Sequence, residues 1–165
     1  MGRIIRNRQI VEDYWLSVAD DEPLPPQGAV VVSLARWRQE RETLLRRGDK
    51  LGVRLKNDAP VAEIATDLPD LALIALEFPS FRDGRAFTQA RLLRERYGYR
   101  GELRAVGDVL RDQLFFMRRC GFDAFELRPD RSLEDALEAF DEFTVTYQAA
   151  ADESLPLYRR DRSEG

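Results

Sequence analysis

Apolar residues fall along this chain in two alternating rhythms. Short continuous runs recur at residues 29–34 (AVVVSL), 51–55 (LGVRL), 71–78 (LALIALEF), 102–106 (ELRAV) and 124–128 (AFELR). Runs of this length, rich in Val, Leu and Ile, read as strands covered on both faces. Between them apolar positions recur three or four residues apart, the spacing of one helical face. Residues 35–48 (ARWRQERETLLRRG) stop at Gly48, a natural helix end. Residues 60–68 (PVAEIATDL) start on a proline. Residues 84–98 align Phe87, Ala90, Leu93 and Tyr97, and residues 109–121 align Leu110, Leu114 and Met117. A last helix over 132–148 opens on Ser132 and Asp135 in capping-box-like spacing.

Ahead of this rhythm, residues 3–18 read as a short hairpin, Ile4-Ile5 and Ile10-Val11 flanking a polar turn at Arg6-Asn7-Arg8. Residues 19–28 (ADDEPLPPQG) are acidic and proline-rich, the composition of a loop. The expected organisation is an N-terminal hairpin and linker over 1–28, one α/β domain over 29–150 and a flexible tail over 151–165. Strands alternating with helices predict right-handed βα units and a mostly parallel sheet. With 165 residues the chain is short for a full (βα)8 barrel. The expectation is therefore an open or half-barrel-like sheet, related to the TIM barrel.

Composition narrows the chemistry more than the fold. The chain has no histidine and one cysteine, Cys120. Ser–His and Cys–His nucleophile pairs are excluded, as are four-thiolate clusters and Cys/His zinc sites. A single cysteine at a helix C-terminus reads as a buried structural residue in a reducing cytoplasm. No glycine-rich nucleotide loop is present, no metal site is expected and any cofactor is left unknown. The longest apolar run, Leu71 to Leu76, is far short of a membrane span, and the start of the chain lacks a secretory signal. Net charge is −4, which argues against nucleic acid and membrane surfaces as partners. That average hides an asymmetry. Between Arg82 and Arg119 ten arginines face five acids, a local +5 that leaves −9 for the remainder.

Ligands of such folds sit at the carboxyl ends of the strands. The loops there offer Arg82, Arg85, Arg111 and Arg128 as anion-binding candidates, some beside helix N-termini that also favour anions. Glu77, Asp83 and Asp108 are the acid–base candidates. Each has a plainer reading. Glu77 ends an apolar strand, where a carboxylate is costly unless paired, with Arg82 or Arg104 in reach. Asp108 reads as the N-cap of the next helix. Arg91, Arg94, Arg96, Arg118 and Arg119 read as solvated helix faces. Phe115, Phe116 and Trp37 cannot all face one core stripe, so one of them is a candidate partner contact.

Residues 73–127, LIALEFPSFRDGRAFTQARLLRERYGYRGELRAVGDVLRDQLFFMRRCGFDAFEL, resemble the signature block of the bacterial domain of unknown function 934 family. VVVSLARWRQER and LGVRL upstream fit the same pattern, so the likeness covers roughly 29–140. The resemblance implies a small cytoplasmic protein encoded beside assimilatory sulfite reductase and described as a probable oxidoreductase of sulfite reduction. It carries over no catalytic residue. Joined to the missing redox motifs, it points to an accessory protein of sulfite reduction that works by protein contact and by anion binding. The alternative is an oxidoreductase or other enzyme on a (βα)-barrel-like scaffold, with an arginine-lined site for an anionic substrate. Sulfite reductase, a small anion and a second copy of the chain are the partners this reading leaves open.

Overall fold

The computed structural model describes residues 2–80 and 82–140. In chain order the strands are β1 (Arg3–Arg6), β2 (Gln9–Glu12), β3 (Leu16–Ser17), β4 (Val30–Ser33), β5 (Leu51–Leu55), β6 (Leu73–Phe78), β7 (Glu102–Gly107) and β8 (Ala124–Phe125). Helix α1 (Leu34–Arg46) follows β4, a 3-10 segment (Val61–Asp70) follows β5, and α2 (Arg85–Arg91), extended by a π turn (Leu92–Arg96), follows β6. After β7 a 3-10 turn (Arg111–Gln113) leads into α3 (Leu114–Cys120), and residues 133–140 are helical. The expected tail over 151–165 and the end of the expected last helix lie outside the described residues.

These strands form one mixed sheet, ordered β2-β1-β8-β7-β6-β5-β4-β3 and curled into a half-barrel. Neighbours from β3 to β8 run parallel, whereas β1 is antiparallel to both β2 and β8. The sheet is thus not the mostly parallel one the sequence suggested. The cause is the N-terminal segment. Asn7 and Arg8 take positive φ, 52° and 64°, the two-residue turn whose twist suits a hairpin. That hairpin lays β1 beside β8, with Ile5 opposite Phe125. The chain then crosses to the far edge, where β3 pairs with β4. Residues before 28 therefore finish both edges of the sheet.

Period-two alternation sorts each strand's side chains onto two faces. Val53, Ile74 and Leu103 lie in register across β5, β6 and β7. With Leu76, Phe78, Ala105 and Phe125 they meet helical residues such as Trp37, Leu44, Ala90, Leu93 and Met117 in the main core. The opposite face carries a smaller cluster of Trp15, Val31, Leu73, Ala75 and Val106, which contains no helical residue. Polar side chains share that second face: Ser33, Arg54, Glu77 and Arg104 alternate with the core residues of β4 to β7. Helices cover one side of the curl, and charges line the other.

Candidate functional site

The carboxyl ends of β4, β5 and β6 open onto a cleft of about 440 Å³. Its walls include Ser33 and the first residues of α1, Leu34 and Ala35, together with Arg38, Arg54, Lys56, Asp58, Glu63 and Glu77. Ser33 ends β4 in an extended conformation and starts the helix, its hydroxyl accepting from the Arg36 backbone N–H. The same hydroxyl donates to Asp20 at 2.6 Å, which ties the loop before β4 to the cleft. Ser33 lies beside Arg54 in the β4–β5 register. Arg54 pairs in register with Ala75, so Glu77, two residues further along β6, faces the same side. Glu77 accordingly meets Arg54, at 3.8 Å, the partner that strand register supplies in place of Arg82 or Arg104. A second hollow of about 280 Å³ shares Asp20, Ser33, Arg54 and Glu77 with the first.

The arginine loops are arranged differently from a single positive mouth. Asp83 opens α2 by accepting the Arg85 backbone N–H, and the Arg85 guanidinium folds back onto the same carboxylate, with Nη2 at 2.7 Å. The Asn57 amide adds a third donor at 2.6 Å. Arg85, through its side chain and then its backbone N–H, holds the Asp83 carboxyl far below the ordinary carboxylate range. A carboxylate held so firmly ionised is a weak proton acceptor. Arg111 meets the Asp135 carboxylate and carbonyl, each at 3.2 Å. Arg128 approaches Asp108 at 3.5 Å. Arg128 also borders a separate hollow of about 610 Å³ with Arg3, Arg131, Glu126 and Glu134. Arg82 sits in the loop before α2, its backbone N–H donating to the Ser80 hydroxyl. Neither Arg82, Arg85, Arg111 nor Arg128 lines the cleft at β4–β6.

Asp108 is not the N-cap the sequence suggested. Its backbone N–H donates to the Phe78 carbonyl at 2.7 Å just after β7 ends at Gly107, and Leu110 holds the N-cap position of the 3-10 turn at Arg111. Arg94 also departs from a solvated face. Its guanidinium donates to the carbonyls of Gly121, Tyr99 and Gly101 at 2.8–3.0 Å. Through Gly121 it caps the end of α3, where unpaired carbonyls favour a cation, and through Tyr99 and Gly101 it ties that end to the loop before β7.

The aromatic question has a clear answer. Trp37 is 1% exposed and donates to Asp67, whereas Phe116 is 47% exposed. An aromatic ladder runs outward from the core, Phe122 to Phe78 to Phe87 to Phe116, with centroids 5.0–5.6 Å apart. Arg91 lies over the Phe116 ring at 6.0 Å. Arg91 and Arg118 are exposed and make no ion pair among the described residues. Sequence reasoning named Phe115, Phe116 and Trp37 together, one of them a candidate partner contact, and could not say which, because the doubled aromatic leaves the helix face open.

Together these features define an α/β protein on a curled half-barrel sheet, with a charged cleft at its strand ends and an aromatic–arginine face between α2 and α3. Over residues 52–158 the chain matches the family described as "Bacterial protein of unknown function (DUF934)", and it belongs to that family. No curated protein matches it. Among the described residues no helix is long and apolar enough to cross a membrane.

Proposed function

We propose that this protein is an accessory protein of assimilatory sulfite reduction, acting by contact with sulfite reductase through the face between α2 and α3. One observation carries the reading: Phe116 stands half exposed at the end of a buried aromatic ladder, with the unpaired Arg91 over its ring. Rigid aromatics flanked by arginine are the residues that dominate protein interfaces. The arginine excess of residues 82–119 suits an acidic partner surface. Anion binding belongs to the same contact in this reading. The anions are the partner's carboxylates, and at Arg85, Arg111 and Arg128 they must exchange with Asp83, Asp135 and Asp108. The sulfite-reduction setting is what the resemblance of residues 73–127 implies.

The test is binding of the full chain to purified sulfite reductase by biolayer interferometry, with reductase turnover measured in parallel. Phe116→Ala removes a hot-spot side chain, a loss of about 2 kcal/mol, or roughly thirtyfold in Kd. Arg91→Ala weakens binding in the same direction, and both variants keep the wild-type melting temperature. Wild-type protein that neither binds the reductase nor alters its turnover overturns the proposal. The second reading, an enzyme on the half-barrel scaffold, draws on Glu77, which lines the strand-end cleft beside Arg54.

A further inference from the structure

Two opposite charges in the cleft at β4–β6 have no close partner among the described residues. Lys56 directly follows β5 and Asp58 lies two residues on; both are exposed and both line the cleft. Neither side chain makes a hydrogen bond or a close ion pair among the described residues, and Asp58 attracts the Arg85 guanidinium at longer range. Their neighbours are engaged: Arg38 with Glu63, Ser33 with Asp20, and Arg54 with the Ser17 hydroxyl at 3.1 Å. Arg54 keeps a buried Nε–H without a hydrogen-bond partner, and the Glu77 carboxylate faces it at 3.8 Å. First-turn amides of α1 are unpaired within the helix, and Leu34 and Ala35 border the cleft as well.

The balance of charge decides the class of ligand. Arg38, Arg54 and Lys56 stand against Asp20, Asp58, Glu63 and Glu77. A simple anion meets a surplus of carboxylates here, and a simple cation meets the arginine row. Groups already paired must be separated before they hold anything else, but Lys56 and Asp58 need no such exchange. We infer that this cleft binds a small zwitterion of the free α-amino acid class. Lys56 takes its carboxylate at the start of α1, and Asp58 takes its ammonium group. The adjoining 280 Å³ hollow, which shares Ser33 and Arg54, gives room for a polar side chain. The site is separate from the face between α2 and α3 and does not rest on the partner reading.

Calorimetric titration of the full chain with glycine, L-serine and L-aspartate tests it, with acetate and methylamine as the two halves of glycine. Saturable binding of at least one amino acid is expected, with no binding of either half alone. Lys56→Gln and Asp58→Asn are surface changes that leave the fold intact, and each weakens binding by at least about tenfold. Phe116→Ala leaves it unchanged, so failure here and failure of the partner reading are told apart. Three results overturn the inference: no amino acid binds, acetate binds as tightly as glycine, or the two cleft variants bind like wild type.

Discussion

Asp123 ties one side chain to the pH dependence of the fold. It sits between α3 and β8, accepts the Leu103 backbone N–H at 2.8 Å and faces Arg94 at 3.7 Å. Burial nonetheless pushes its carboxyl above the ordinary value, outweighing those two attractions. A raised folded pKa means the folded state binds more protons than the unfolded one within the shifted window. Stability from this group is therefore full below the ordinary carboxylate value and lost as pH rises through the folded value. Asp123→Asn keeps an oxygen for Leu103 and does not titrate. The stability of the variant relative to wild type should accordingly climb as pH rises from the ordinary carboxylate value, then level off. Urea melts across that range measure it, and a difference that stays flat or falls contradicts the assignment. Comparing the two proteins cancels Asp83 and Glu134, whose lowered pKa values tilt stability the opposite way.

Among the elements, the carboxyl end of β7 has little room against backbone. Gly107 ends the strand opposite Phe78 with φ +96°, and an added Cβ would lie 2.6 Å from the Phe78 carbonyl oxygen. Gly48, after α1, has φ +77° with open space around it. Gly48→Ala should cost the left-handed strain alone, about 1 kcal/mol. Gly107→Ala adds a clash with backbone that cannot swing aside, and roughly 3 kcal/mol is expected. Chemical denaturation of the two variants checks the ranking, and equal losses would remove the steric argument. Elements of this kind were legible in the sequence because their signals are local. LGVRL is a strand at the residues read, and Gly48 and Gly121 end helices with positive φ. The destination of the hairpin was not legible, since nothing within residues 3–12 records that β8 is its neighbour. Pairing in the site was hidden for the same reason. Register brings Arg54 to Glu77, and Asp83, Asp108 and Asp135 reach their arginines through turns whose ends the sequence left uncertain.

Across the whole molecule, charge on the uncovered face of the sheet does work that apolar layers do in a closed barrel. Arg104 is the centre of it, with a side chain 3% exposed on β7. Its guanidinium reaches Asp13 at 3.0 Å, Glu102 at 3.0 Å and Glu126 at 3.5 Å. These carboxylates come from the segment after the hairpin, from β7 itself and from the residue after β8. One cation thus joins the start of the chain to the sheet's middle. Burial opposes its charge, but Asp13 and Glu102 more than compensate, and its pKa is raised. The arrangement is favourable only while complete, because a buried carboxylate stripped of its partner keeps the desolvation cost and loses the attraction. Arg104→Met should therefore destabilise the protein by about 3 kcal/mol, read from urea denaturation near neutral pH. Adding Asp13→Asn and Glu102→Gln should recover part of that loss, since it removes the charges left alone. A merely packing role for the Arg104 stem predicts otherwise: methionine would replace it at little cost, and the two amide substitutions would bring no recovery.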